Sequence, residues 1–124
     1  MGLERLLDSV ILIDHFNGIS QATDYLRSGR GHLAISVVTR AEVLAGFDRT
    51  KAGPALLVLN SFPSLLIDPP IADLAAHLKR EHKWKLPDAF QAAIAHHHKL
   101  RLVTRNVKDF SPQQFDFVDV PYTL

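Results

Sequence analysis

Four acidic residues, Asp8, Glu42, Asp88 and Asp109, stand beside breaks in the apolar pattern of the chain, and what they bring is hard oxygen donors. Two carboxylates about 4 Å apart repel by roughly 4 kcal/mol at an effective dielectric of 20. Three or four in one cleft stay ionised only around a cation; otherwise some of them take up protons. With no cysteine in the chain, carboxylate, carbonyl and water oxygens select Mg²⁺, or Mn²⁺ in its place. One such ion, or two about 3.5–4 Å apart, activates a water and stabilises a leaving oxygen, the requirements of phosphodiester hydrolysis. Singly, each acid has an ordinary structural reading. Asp8 and Asp109 fit caps or turns, and Glu42 completes a Thr39-x-x-Glu42 capping box. Asp88 sits in a first helical turn, where the macrodipole favours a carboxylate by about 0.3–1 kcal/mol.

What separates chemistry from capping is whether the fold brings the four together. A buried strand ends at about Asp8, and a helix follows it as far as Asn17-Gly18. A short helix over 21–27 leads to a strand over 32–38, apolar almost throughout as expected when both faces are covered. The spacing then predicts a helix over 39–47 with Thr39 as N-cap, and another over 54–62. A brief strand over 65–67 is stopped by Asp68-Pro69-Pro70, followed by helices over 71–83 and 87–99. Residues 102–104 form a strand, and Phe115, Phe117, Val118 and Val120 a last one. Alternating helices and short apolar strands indicate an α/β layered domain around a short, mostly parallel sheet. In such sheets ligands bind at the carboxyl ends of the strands. Asp8 ends the first strand, Glu42 follows the second, Asn106 and Asp109 follow the fourth, and Asp88 opens the helix feeding that fourth strand.

Bulk properties narrow the class. A chain of 124 residues, 47% hydrophobic and 22% charged, is expected to be one globular domain over 1–124. Apolar runs are far shorter than the roughly 20 residues of a membrane helix, and no secretory signal opens the chain, so a cytoplasmic location is expected. A net charge of +1 offers no global attraction to nucleic acid, so any basic footprint must be local.

Four blocks carry a resemblance: LDSVILI at 7–13, TRAEVLAG at 39–46, PDAFQAAIA at 87–95 and LVTRNVKDF at 102–110. Together and in this order they resemble the signature blocks of PIN-domain ribonucleases, in particular the VapC-type toxins of toxin–antitoxin modules. The resemblance implies a three-layer PIN-like fold and a Mg²⁺-dependent endoribonuclease in which Asp8 and Asp88 hold the metal. Glu42 completes the acidic set by holding a water or acting as base, and Asp109 fills the fourth acidic position with Asn106 as a neutral neighbour. Ser9 and Thr104 are supporting polar groups, while Arg40, Arg105 and Lys108 are placed to meet substrate phosphates. The partners implied are RNA, a VapB-like antitoxin and a second copy of the chain, the homodimer forming through helices such as those over 71–83 and 54–62.

Other features carry less. Consecutive helical residues point about 100° apart, so His96, His97 and His98 do not converge on one ion. His77 and His82, five apart, pair poorly on one face. Trp84, between Lys83 and Lys85, reads first as a partly buried helix-end aromatic and second as a platform for a base. A haloacid-dehalogenase-type phosphohydrolase needs an Asp where Val10 stands, and a receiver module needs an Asp soon after Val38 that is missing. The remaining alternative is a PIN-like interaction module whose acids are merely caps.

Overall fold

The computed structural model describes residues 2–124. Its elements alternate as β1 (Arg5–Leu7), α1 (Ser9–Phe16), α2 (Ser20–Ser28), β2 (Leu33–Ser36), α3 (Val37–Ala45) and α4 (Gly53–Leu59), then β3 (Ser64–Leu65), α5 (Pro69–His82), α6 (Leu86–His98), β4 (Arg101–Val103) and β5 (Val118–Asp119). The strands form one sheet in the order β3-β2-β1-β4-β5, and every pairing is parallel. The chain steps outward from β1 on one side through β2 to β3, and on the other through β4 to β5. The direction of winding therefore reverses between β1 and β4, the position where an open parallel sheet presents a crevice.

Period-two alternation sorts the core into two layers. Leu6, Ala34, Leu102 and Val118 face α5 and α6, packing with Ile71, Ala75, Leu78, Ala92 and Ile94. Their neighbours Leu7, Leu33, Ile35 and Val103 face the other side, against Ile11, Leu12, Val43 and Leu59 of α1, α3 and α4. The result is the expected three-layer α/β arrangement. Ala89, Ala92, Ala93 and Ala95 are all buried, which lets α6 lie close to the sheet. That helix closes with Lys99 in the left-handed region (φ 57°) and the Leu100 N–H on the Ala95 carbonyl at 2.8 Å, turning the chain directly into β4.

Several boundaries differ from the sequence reading. The strand expected over 32–38 stops at Ser36, because the Ser36 hydroxyl accepts from the Thr39 N–H at 3.1 Å and starts α3 at Val37. Ser36, not Thr39, is the N-cap, and the capping box proposed for Glu42 is absent. The prolines after Asp68 do more than stop β3: they occupy the first turn of α5, capped by the Asp68 carboxylate on the Ile71 N–H at 3.1 Å. The final strand is only Val118–Asp119, while Phe115 and Phe117 pack as side chains on the α6 layer. Trp84 is buried, with its ring centroid 4.8 Å from that of Phe110 and 4.4 Å from that of His82. This rules out the base-platform reading and makes Trp84 a core residue.

The cap gives a direct check on this architecture. Asp68→Ala removes the acceptor for the Ile71 N–H and is expected to cost about 1 kcal/mol, read as a lowered midpoint in urea with unchanged m-value. An unchanged midpoint would show that α5 starts elsewhere.

Candidate active site

Asp8 extends the ladder by one residue past β1, its N–H on the Val103 carbonyl at 2.9 Å, and then caps α1 through Oδ1 and the Ser9 N–H at 2.9 Å. It therefore sits between β1 and β4 at the crossover, with only 5% of its surface exposed. Two further donors reach the carboxylate: the Thr104 hydroxyl to Oδ2 at 2.7 Å and the Gln91 side-chain amide to Oδ1 at 3.4 Å. Burial nevertheless raises its pKa above the ordinary carboxylate value, against the lowering effect of these three bonds.

The other acids gather around this point. Glu42 lies at the exposed rim on α3; partial burial and the Asp8 charge raise its pKa, while the nearby Ser9 hydroxyl opposes them. Asp88, half-buried in the first turn of α6, is pushed up to about 6 by burial first and then by the charges of Asp8, Asp109 and Glu42, with only Lys85 pulling the other way. One carboxyl thus feels all three others, so residues scattered from 8 to 109 share one electrostatic neighbourhood. Asp109 is half-buried; its Oδ2 accepts from the Asn106 side-chain amide at 3.0 Å, and its carbonyl accepts from the Trp84 indole at 3.0 Å.

The basic residues expected near a substrate are placed less uniformly. Arg105 makes a bidentate ion pair with the buried Asp14, at 2.6 and 2.8 Å, so two of its donors are committed away from the acids. Arg40 bonds Asn60 at 2.9 Å, about 200° around α3 from Glu42. Lys108 is exposed beside a polar hollow shared with Glu81, Asp109 and Gln114. His96, His97 and His98 are exposed at the far end of α6, His96 against Phe117. A hollow of about 440 Å³, lined by Leu3, Thr23, Arg27, Gly31 and Pro63, lies at the opposite, N-terminal ends of the strands.

Two residues of consequence escaped the sequence reading. Gln91 is buried and links Asp8 to Ser36 and Thr39; its signal was a polar residue interrupting the alanine face of α6 three positions after Asp88. Asp14 is buried with Arg105 and the Tyr122 hydroxyl, which donates at 2.8 Å. The Arg105 bond holds its pKa below the usual carboxylate range. Its sequence signal, an acid directly after Ile13 in an apolar run, was present but had no identifiable partner.

Among the described residues, no three Asp, Glu or His side chains close on one point as a complete chelate. The donor set still fits a hard, hydrated ion: all oxygen, mutually repelling and without a neutralising arginine. Mg²⁺ takes one or two protein carboxylates and keeps several waters. Asp8 and Asp88, whose charges act on one another, could supply them.

The site is a cluster of four acids at the winding reversal of a parallel three-layer α/β sheet. The PIN-domain family model matches residues 5–111, and the chain belongs to that family. It is 36% identical to Ribonuclease VapC10 of Mycobacterium tuberculosis (strain ATCC 25618 / H37Rv) over 126 aligned positions, covering 96% of this chain and 93% of that protein. Among solved structures, a toxin–antitoxin complex from Klebsiella pneumoniae contains a chain of TM-score 0.90 and 36% identity, covering 98% of this chain and all of that one. FitAcB from Neisseria gonorrhoeae matches with TM-score 0.75 at 23% identity, over 97% of this chain and 99% of that one, a likeness of fold.

The crowding of the acids has a signed consequence. Folded Asp88 keeps its proton up to about pH 6, whereas unfolded it releases it near 3.8. The folded state holds more protons across that window, so this group's contribution to stability falls as pH rises through it. At pH 7 in EDTA, Asp88→Asn is expected to stabilise the protein by about 1 kcal/mol after allowance for solvent screening, or roughly 3–5 °C in Tm. The gain should shrink toward zero near pH 4. Equal Tm values at pH 7 would show that Asp8, Glu42 and Asp109 do not press on Asp88.

Proposed function

We propose that this protein is a Mg²⁺-dependent endoribonuclease and the toxin of a type II toxin–antitoxin pair, hydrolysing RNA phosphodiesters with an activated water. The observation that carries the reading is the raised pKa of Asp88 under three other carboxylates, a concentration of negative charge that stability alone does not favour. Ribonuclease VapC10 and the Klebsiella pneumoniae complex support the substrate class and the biological setting. A bound Mg²⁺ would supply the positive charge that neutralises the cleft, polarises the scissile phosphate and makes a water acidic enough to attack.

The chain's own residues divide the remaining work. Asp8 and Asp88 hold the ion from the end of β1 and the start of α6. Glu42, at the rim, takes the proton of the attacking water with Ser9 as a polar neighbour, and burial and the Asp8 charge raise its pKa, which strengthens it as a base. Asp109 adds charge at the β4 exit, oriented by Asn106, and Thr104 fixes Asp8. Lys108, exposed beside Asp109, is the basic residue best placed for a backbone phosphate, with Arg40 and Arg105 secondary. A VapB-like antitoxin neutralises the activity. The chain acts in the cytoplasm, and no helix among the described residues is long and apolar enough to cross a membrane. The same proposal includes a homodimer, supported by Leu57 of α4, which is 76% exposed.

Purified protein incubated with structured RNA should cleave it with Mg²⁺ or Mn²⁺ and stop in EDTA. Asp8→Asn and Asp88→Asn should each lower kcat by at least about 100-fold, the scale on which removal of one essential catalytic group is felt. Undiminished cleavage in EDTA, or in both variants, would overturn the metal mechanism. Expression without antitoxin should arrest growth, and Asp88→Asn should relieve the arrest. Equal arrest by the variant would leave the inactive interaction module as the better reading.

A further inference from the structure

We propose that Gln91 is a positioning residue for Asp8, its buried carboxamide fixing the carboxylate so that metal affinity as well as fold stability depends on it. This rests on the nuclease reading above and adds to it a residue outside the acidic set.

The hydrogen-bond directions around Gln91 are determined by its partners. The Ser36 hydroxyl accepts from the Thr39 N–H at 3.1 Å, so its own hydrogen goes to Gln91 Oε1 at 2.7 Å. The Thr39 hydroxyl gives its hydrogen to the Leu7 carbonyl at 3.2 Å and therefore accepts from Gln91 Nε2 at 2.6 Å. The amide cannot flip without setting its oxygen against two acceptors and its N–H groups against the Ser36 donor. Its second N–H is left facing Asp8 Oδ1 at 3.4 Å. That contact is the longest of the three, and the other two hold the donor where it can be made.

On the opposite side, the Thr104 hydroxyl accepts from the Asn106 N–H at 2.9 Å and donates to Asp8 Oδ2 at 2.7 Å. With the Ser9 N–H, three donors occupy Asp8. An ionised carboxylate accepts about four, so about one position remains for a ligand. Gln91 helps decide which one. The same side chain joins α6, which carries Asp88, to the end of β2 and to α3, which carries Glu42, so one amide spans the elements presenting three of the four acids. A packing role alone does not call for an amide here: the surrounding face of α6 is alanine and isoleucine, and an unpaired buried amide is costly.

The test compares wild type, Gln91→Met, Gln91→Asn and Ile94→Val as full-length proteins. Met keeps the volume without donors, Asn keeps the amide one methylene short of Asp8, and Ile94→Val loosens the same buried helix face without touching Asp8. Free Mn²⁺ is counted by electron paramagnetic resonance, with Tm and RNA cleavage kinetics measured in parallel. Gln91→Met and Gln91→Asn are expected to bind Mn²⁺ about 10- to 100-fold more weakly, with kcat lowered and KM for RNA within about twofold of wild type. Ile94→Val should lower Tm yet keep wild-type Mn²⁺ affinity. If wild type cleaves with metal and either folded Gln91 variant binds Mn²⁺ as wild type does, the positioning role is overturned and the nuclease reading stands. If wild type neither binds Mn²⁺ nor cleaves RNA, both fall together.

Discussion

The feature on which the site depends is a carboxylate taken out of water at the end of β1 with no cation to match it. Burial of an ionisable group is expensive, and proteins normally meet the cost with an ion pair or by leaving the group neutral. Asp8 has neither a lysine nor an arginine. It has a backbone N–H, a threonine hydroxyl and a glutamine amide, brought from α1, the β4 exit and α6. Those donors orient the charge without neutralising it, and its pKa stays raised. The sheet order makes the arrangement possible: pairing β1 with both β2 and β4 leaves its carboxyl end as the point where the flanking elements meet.

The chain contains its own control for this interpretation. Asp14, six residues further on, exposes as little of its surface as Asp8 (6% against 5%) but has much less protein around it. It accepts from two N–H groups of the Arg105 guanidinium and from a tyrosine hydroxyl, and its pKa is lowered. That is how an acid is built when the task is to hold α1 to the β4 exit loop and the C-terminal segment. A few ångströms of sequence separate an acid whose charge is satisfied by protein from one whose charge is left for something else. Asp88 and Glu42 belong with Asp8: both have raised pKa values, and both include a neighbouring acid among the causes.

Placement of the acids was legible in the sequence because it follows from chain order and strand ends, which apolar runs mark well. Leu7 and Val103 close strands, Asp8 and Thr104 come next, and a parallel sheet brings those ends together regardless of side-chain detail. Hydrogen-bond partners were less legible. Ser36 and Thr39 are both good N-caps, and only the backbone decides that Ser36 is outside the helix and Thr39 inside it. The consequence was larger than two residues of boundary, since it turned Thr39 from a cap into a link between Leu7 and Gln91. Gln91 and Asp14 could be suspected as polar residues on apolar faces, but their partners lie 52 and 91 positions away, beyond any local pattern. Trp84 was read first as a partly buried helix-end aromatic; the second reading, a platform for a base, came from its two flanking lysines, and the ring instead closes over Phe110 and His82.

The same electrostatics separates the two functional readings. In an inactive interaction module, acids at strand ends need only cap helices, and a cap needs no more than a carboxylate oxygen that accepts from a helix N–H. Asp68 does that on α5 with one bond to Ile71. Asp8 also caps a helix, but three more carboxylates than capping requires stand near it, and burial together with their charges pushes Asp88 up to about 6. Each unit of such a shift opposes folding at neutral pH by up to 1.4 kcal/mol, less at the half-exposed Asp88. Apolar or amide side chains at 42, 88 and 109 would leave the caps, the sheet and both core layers intact while removing the repulsion. The fold does not need those charges; the proposed metal-binding role does.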